Sequence, residues 1–186
     1  KDIYEIVLKA NTGAINAARP GLSNRDVHLM ACTIIAASLK EIGLMKGNTA
    51  EAVEQGAHAL FMPHGLGHMM GLDVHDMEAL GENNVGYNTE TVRSTQFGTA
   101  FLRFALPYQP GHVLTVEPGC YFIPELIAKW KAEKKFTEFI NYPATEKYMS
   151  VGGIRIEDNI LITDKGHKLL GKAIPKTIKE IETVCS

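Results

Sequence analysis

The stretch GGIRIEDN, residues 152–159, opens the strongest strand signal in the chain, which runs from Gly153 to Thr163. Isoleucines alternate with Arg155 and Glu157, so the two charged side chains share one face by the two-residue period of a strand. Charged groups buried without partners are costly, and this face is therefore predicted to line a pocket. The alternative is a surface Arg–Glu ion pair, which contributes little stability.

A second strand, VLTVEPG at residues 113–119, ends in another carboxylate. Val113, Thr115 and Glu117 share one face of this strand. Pro118 has no N–H to donate, so strand pairing is expected to stop there. Glu117 thus stands at a strand end, where it is either a metal ligand or a solvated side chain. The strand alone gives these two interpretations equal weight.

Three of the seven histidines fall within residues 64–75, inside the segment FMPHGLGHMMGLDVH. His64 and His68 are four residues apart, the spacing of a helical zinc motif, but the glycines between them disfavour a helix. We expect a glycine-shaped loop that presents imidazoles, including that of His75. Histidines merely packed in a turn are the competing interpretation.

The composition limits the classes of protein to which this chain can belong. The chain has 186 residues, 45% of them hydrophobic and 22% charged, with a net charge of -2. These values suit one soluble domain and give no reason to expect nucleic acid or membrane as a partner. Three widely spaced cysteines form neither a disulfide framework nor a Cys-x-x-Cys motif, which favours a reducing compartment and a cytoplasmic location.

Periodicity divides the chain into helices followed by strands, an α+β order. Residues 77–99 are rich in Gly, Asn and Thr and are predicted to form a long loop. Ser23 or Asn24 is expected to cap the second helix, and Gly43 to end it. Helices are predicted at 3–18, 24–42, 49–57, 124–135 and after Pro175, and strands at 72–76, 112–117, 120–123 and 153–163.

Arg103 lies between apolar residues in FLRF, residues 101–104. A guanidinium in such a setting can anchor a substrate carboxylate with two hydrogen bonds. An Arg that only extends from an apolar patch into solvent is at least as compatible with the sequence.

Taken together, the three motifs resemble the pita-bread metallopeptidases, and among them the prolidases, or Xaa-Pro dipeptidases. The resemblance implies a curved antiparallel sheet backed by helices, with two metal ions in its concave face. It implies His68, Glu117 and Glu157 as metal ligands, with Glu117 also transferring protons. The ions implied are divalent, manganese first, with cobalt or zinc as alternatives. One imidazole and two carboxylates suit such hard or borderline metals.

The same resemblance implies roles for the neighbouring side chains. His64 and His75 are expected to take part in catalysis by orienting substrate or by steadying the tetrahedral intermediate. Glu157 is expected to bridge the two metals, and Arg155 to support this bridging region and to bind substrate. Arg103 stands where prolidases place the arginine that grips the C-terminal carboxylate of a dipeptide.

One departure from the family is large. Its remaining two ligands are aspartates on a hairpin that precedes the histidine motif, and neither Asp2 nor Asp26 matches them. Residues 1–186 are therefore expected to be the C-terminal portion of the catalytic domain, an incomplete pita-bread fold without that hairpin and without the N-terminal domain. The chain alone is expected to be inactive and to hold metal weakly or not at all.

The resulting functional hypothesis is a metal-dependent hydrolase of dipeptides with C-terminal proline, homodimeric at full length. Two alternatives remain. One is aminopeptidase P, which removes an N-terminal residue before proline from longer peptides. The other is a metal-free pita-bread module that binds peptides or proteins.

Overall fold

A computed structural model describes all residues from 1 to 186. Helices and antiparallel strands both occur, in the predicted α+β order. The helices are α1 (Asp2–Ala17), α2 (Asn24–Glu41), α3 (Thr49–Gln55), α4 (Glu82–Val85), α5 (Pro124–Ala132), α6 (Tyr142–Thr145) and α7 (Ile178–Cys185). Short 3-10 turns cover Ala57–Leu60, Glu78–Leu80, Thr99–Phe101 and Glu146–Val151.

The first two helices pack tightly against each other. Gly13 permits the close approach, because a Cβ at that position would lie 2.6 Å from a side-chain carbon of Ile34. Ser23 caps α2 as predicted, since its hydroxyl accepts a hydrogen bond from the backbone N–H of Asp26 at 3.0 Å. Gly43 follows the helix with φ of 78°, the left-handed conformation predicted for it.

Five strands form two antiparallel groups. Strands β1 (Val113–Val116), β4 (Asp158–Thr163) and β5 (Gly166–Leu169) pair in the order β1-β4-β5, and β2 (Gly119–Tyr121) pairs with β3 (Gly153–Arg155). The β1–β4 and β2–β3 ladders share one register, so they are two halves of a single ladder interrupted in the middle. Helix α1 packs across β1, β2 and β3.

The histidine segment runs along the free edge of β1. Met69 forms an isolated bridge with Leu114, and the N–H groups of Thr115 and Glu117 donate to the carbonyls of His68 and Leu66 at 3.0 and 2.8 Å. Since β4 lies along the other edge, Glu117 is held between the histidine segment and the chain at Glu157, just before β4.

Several predicted boundaries are wrong in detail. Residues 72–76 form a turn, because the N–H of Gly71 bonds to the carbonyl of Asp73 and that of Asp76 returns to Met69, both at 3.1 Å. The predicted strand 153–163 is broken at 156–157, and the predicted loop 77–99 contains short helical segments. Strand β5 has no counterpart among the predictions. No helix combines the length and the apolar character that crossing a bilayer would need.

Candidate metal and peptide site

The centre of the site is a close pair formed by His68 and Glu117. Nε2 of His68 lies 3.5 Å from Oε1 of Glu117, and both side chains are largely buried. The pair lies in a cavity of about 300 Å³. The cavity is lined by His64, Gly65, Gly67, His68, His75, Phe101, Arg103, Glu117 and Arg155.

The ring of His68 directs Nε2 toward Glu117. Its Nδ1 lies 2.9 Å from the carbonyl oxygen of Met69, which can only accept, so Nδ1 carries a proton in this contact. In the neutral ring Nε2 then points a lone pair at the Glu117 carboxylate. A backbone carbonyl that fixes the tautomer in this way is the usual support of a metal-binding histidine.

Glu117 is held from two sides. The Thr115 hydroxyl donates to Oε1 at 3.0 Å, and Nη1 of Arg155 donates to Oε2 at 2.8 Å. Arg155 is in turn fixed through its Nε, which donates to the hydroxyl of Tyr121 at 2.7 Å. The predicted common face of Thr115 and Glu117 is thus a contact between them, and Arg155 projects into the site.

His64 offers one unused nitrogen to the cavity. Its Nδ1 lies 2.7 Å from the carbonyl oxygen of Gly65, while Nε2 is buried without a hydrogen-bond partner. Burial lowers the pKa of His64, and the nearby Arg155 lowers it further, against the opposing effects of the Gly65 carbonyl and the Glu117 carboxylate. The ring is therefore neutral at ordinary pH and presents Nε2 as a hydrogen-bond acceptor.

Two glycines of the histidine segment are required by close backbone approach. A Cβ at Gly67 would lie 2.0 Å from the carbonyl oxygen of Thr115, and one at Gly65 would lie 2.6 Å from the Cα of Leu102. Side chains at these positions would push His64 and His68 away from β1. This confirms a glycine-shaped loop in place of the helical zinc motif.

Glu157 does not reach the pair. It lies in the break of the ladder, is exposed, and is outside the residues that line the cavity. The shared register nevertheless puts it directly opposite Glu117, on the same face of the ladder. The predicted convergence of three ligands therefore holds for His68 and Glu117, whereas Glu157 shares their face without joining their contact.

Arg103 lines the cavity but already has carboxylate partners. Its Nη1 donates to Glu78 in a short contact and to Oε1 of Glu82 at 3.2 Å. Its Nε and Nη2 form no hydrogen bond within the protein. Glu78 also lies 3.4 Å from Nδ1 of His75, and the His75 ring lies 4.0 Å from that of His68 between centroids. The 77–99 segment is thereby joined to the predicted site.

The side-chain atoms of this site are of the kinds that bind a cation. Nε2 of His68 faces a carboxylate oxygen at 3.5 Å, and a second carboxylate lies opposite the first across the interruption of the ladder. The two carboxylates repel each other alone, and a positive ion near both would relieve that repulsion. The mixed nitrogen and oxygen donors suit a hard or borderline divalent metal. His68, Glu117 and Glu157 are the residues that would hold it.

The sequence analysis missed several supporting residues. Asn11 on α1 donates from Nδ2 to the carbonyls of Val116 and Ile156, at 3.1 and 3.3 Å, and so bridges the strands where their ladder is interrupted. Tyr121 contacts His64 edge-on with ring centroids 5.2 Å apart and accepts from Arg155. A signal existed for Asn11 alone, since a polar residue at a core position of a helix needs a partner.

Comparison with known proteins places the chain in context. The model of metallopeptidase family M24 matches residues 1–164. Human Xaa-Pro dipeptidase is 38% identical over 182 residues, which cover 98% of this chain and 35% of that protein. A probable Xaa-Pro aminopeptidase of Fusarium vanettenii is 40% identical over 186 residues, 100% of this chain and 38% of the relative. The chain spans little more than a third of the length of these relatives.

A solved structure supports the fold. Aminopeptidase P from E. coli with the inhibitor Pro-Leu has a TM-score of 0.71 to this chain at 33% identity, covering 98% of this chain and 33% of that one. Its likeness confirms the predicted pita-bread fold, with helices backing antiparallel strands.

Proposed function

Because this chain belongs to metallopeptidase family M24, we propose that the protein hydrolyses the peptide bond that precedes proline, at the cavity around His68 and Glu117. One observation carries the proposal: Nε2 of His68 faces Oε1 of Glu117 at 3.5 Å in a cavity lined with polar groups. The names of relatives in both classes, Xaa-Pro dipeptidase and Xaa-Pro aminopeptidase, support the choice of bond.

The proposed activity depends on bound divalent metal ions. His68, Glu117 and Glu157 are this chain's ligands for divalent ions, with manganese as the first choice and cobalt or zinc as alternatives. A zinc-substituted form of E. coli aminopeptidase P is among the similar structures. When bound, such ions polarise the carbonyl group and activate a water molecule. Two ions per site, and weak retention of metal by the 186-residue chain alone, stay predictions.

The remaining residues act on protons and on substrate. Glu117 accepts the proton of the attacking water and returns it to the proline nitrogen as the bond breaks. Arg155 and Thr115 keep its carboxylate in one orientation for both transfers. His64 orients substrate by accepting a hydrogen bond at its unused Nε2, and His75 supports the ring of His68 from the mouth of the cavity.

Dipeptides are the proposed substrates, because Arg103 lines the cavity with unused donors. Its Nη1 is taken by Glu78 and Glu82, while Nε and Nη2 remain for the C-terminal carboxylate of a bound dipeptide. A carboxylate clamp of this kind measures substrate length. The second candidate is aminopeptidase P activity, which the likeness to E. coli aminopeptidase P supports.

One substitution separates these activities. In the protein of natural length, Arg103→Ala is expected to reduce kcat/KM for an Xaa-Pro dipeptide about 10-fold or more relative to an Xaa-Pro-Xaa tripeptide. Arg93→Ala, which removes a partner of Glu82 further from the cavity, is the matched control. Equal losses on both peptides would favour the aminopeptidase. Hydrolysis of neither peptide by the unmodified, metal-supplemented protein would favour a binding module.

Cytoplasmic location and homodimeric assembly stay predictions.

A further inference from the structure

A second group of metal-ligating side chains lies in the helical core, away from the cavity. His28 and Cys32 are one turn apart on α2, and His58 lies in the 3-10 turn Ala57–Leu60. One donor atom from each residue lies within 4.8 Å of the others. All three side chains are almost completely buried.

The distance between Cys32 and His28 is that of two ligands of one ion, and a donor atom of His58 lies within 4.8 Å of both. Sγ of Cys32 lies 3.6 Å from Nε2 of His28 and 3.9 Å from its Nδ1. An ion bonded to sulfur at about 2.3 Å and to nitrogen at about 2.0 Å holds those two atoms roughly 3.5 to 3.8 Å apart. The rings of His28 and His58 stand nearly perpendicular, with centroids 6.5 Å apart.

Hydrogen bonds within the protein do not satisfy all the polar atoms of this group. A thiol donating to His28 would satisfy two of the three residues, yet neither ring nitrogen of His58 reaches hydrogen-bond geometry with any group. The backbone of Val53 lies close enough to raise the pKa of that ring, although the contact does not meet hydrogen-bond geometry. A buried polar group without a partner is costly, because it has lost its hydrogen bonds to water. An ion bound to one nitrogen of His58 would remove part of that cost.

Charge and coordination number select the ion. We propose that His28, Cys32 and His58 form a buried three-coordinate site for monovalent copper, Cu(I). A thiolate, two neutral imidazoles and Cu(I) sum to zero charge, which a core without carboxylates tolerates. Zn²⁺ would leave a net positive charge there and prefers a fourth ligand. Soft thiolate and imidazole donors also favour Cu(I).

Protonation agrees with this choice. Burial lowers the pKa of His28 to about 3 and that of His58 to about 4, so both rings are neutral and have a lone pair to donate. Burial raises the pKa of the Cys32 thiol, so its proton leaves to bulk water only as the Cu–S bond forms. Copper arrives and stays as Cu(I), and no electron is transferred.

The test begins with the chain carrying Cys185→Ser, which removes the exposed thiol. It is refolded without oxygen in excess Cu(I), so that burial does not block entry, and then treated with a competing Cu(I) chelator. We expect one copper per chain to remain, with one sulfur and two nitrogen neighbours by X-ray absorption. Adding His68→Ala should leave this copper in place, which separates the site from the proposed peptidase centre.

Variants complete the design. Cys32→Ser should weaken copper retention about 100-fold or more, whereas Cys120→Ser, at another buried free thiol, should not change it. If circular dichroism shows that Cys32→Ser does not fold, His58→Gln is used to test the site in its place. Loss of copper from the parent chain, absence of sulfur from its spectrum, equal retention by Cys32→Ser, or preference for Zn²⁺ would overturn the proposal.

Discussion

Glu117 and Glu157 lie opposite each other in the interruption between two antiparallel ladders of one register, yet Glu117 is buried and Glu157 is exposed. They are the residues at which the shared ladder is interrupted. Arg155 neutralises Glu117 alone, through a 2.8 Å hydrogen bond. Like charges opposite each other destabilise a sheet unless a cation lies near both. The interruption thus coincides with the point where the two proposed carboxylate ligands meet.

This pairing predicts opposite effects of one substitution. Glu157→Gln should raise the free energy of unfolding of the metal-free chain by about 0.2–1 kcal/mol, because a like-charge pair is removed. It should also weaken binding of Mn²⁺. Urea unfolding in a chelator and calorimetric Mn²⁺ titration measure the two effects. Glu90→Gln, at an exposed position outside the helices and strands, should change neither. A Glu157→Gln chain that unfolds more easily without metal would refute the electrostatic interpretation.

Asn11 is expected to be a structural support of the site. Asn11→Ala removes the donor shared by the carbonyls of Val116 and Ile156 and should lower the free energy of unfolding by about 1–3 kcal/mol. The control is Asn16→Ala, an exposed position on the same helix. Urea unfolding monitored by circular dichroism gives both values. Similar losses in the two variants would mean that the bridge contributes nothing beyond helix propensity.

Gly67 should not tolerate even a methyl group. Gly67→Ala places a Cβ 2.0 Å from the carbonyl oxygen of Thr115, so the histidine segment must move away from β1. We expect a loss of about 1–3 kcal/mol in stability and weaker Mn²⁺ binding. Gly166→Ala, where a Cβ meets no atom within 4 Å, is the control. Unchanged thermal unfolding and Mn²⁺ binding in Gly67→Ala would contradict the described packing.

The buried histidines predict a fall in stability in mild acid. The folded pKa of His58, about 4, lies below its unfolded value of about 6.5, so between these values the unfolded chain holds a proton that the folded chain lacks. The stability that the chain has with a neutral, buried His58 is complete above pH 6.5 and is lost as the pH falls toward 4. His58→Gln should reduce this loss by up to about 1.4 kcal/mol per pH unit, measured by urea unfolding. An unchanged pH dependence would show that His58 is not buried as a neutral ring.

Local sequence signals predicted local structure well. The Ser23 cap and the end of the second helix at Gly43 each depend on a few neighbouring residues, and each prediction is confirmed. The alternation around Glu117 also identified the side chains that share its face. These features follow from backbone stereochemistry and strand periodicity, which need no knowledge of the rest of the chain.

Long-range contacts were not predictable in the same way. Asn11 meets strands more than 100 residues away, and Arg103 finds its partners in a segment predicted as loop. The exposure of Glu157 depends on the break in the ladder beside it, which two-residue alternation does not reveal. The buried group of His28, Cys32 and His58 joins a helix to a distant turn, and no spacing rule connects them.

The most direct measurement compares Xaa-Pro hydrolysis by the protein of natural length, loaded with Mn²⁺, with and without His68→Ala. The account predicts that an Xaa-Pro dipeptide is hydrolysed while its Xaa-Ala counterpart is not. It further predicts that His68→Ala lowers kcat/KM about 100-fold or more and releases metal. His167→Ala, whose ring bonds to the carbonyl of Ala18 outside the cavity, should retain activity. Undiminished hydrolysis and metal content in a folded His68→Ala protein would contradict the account.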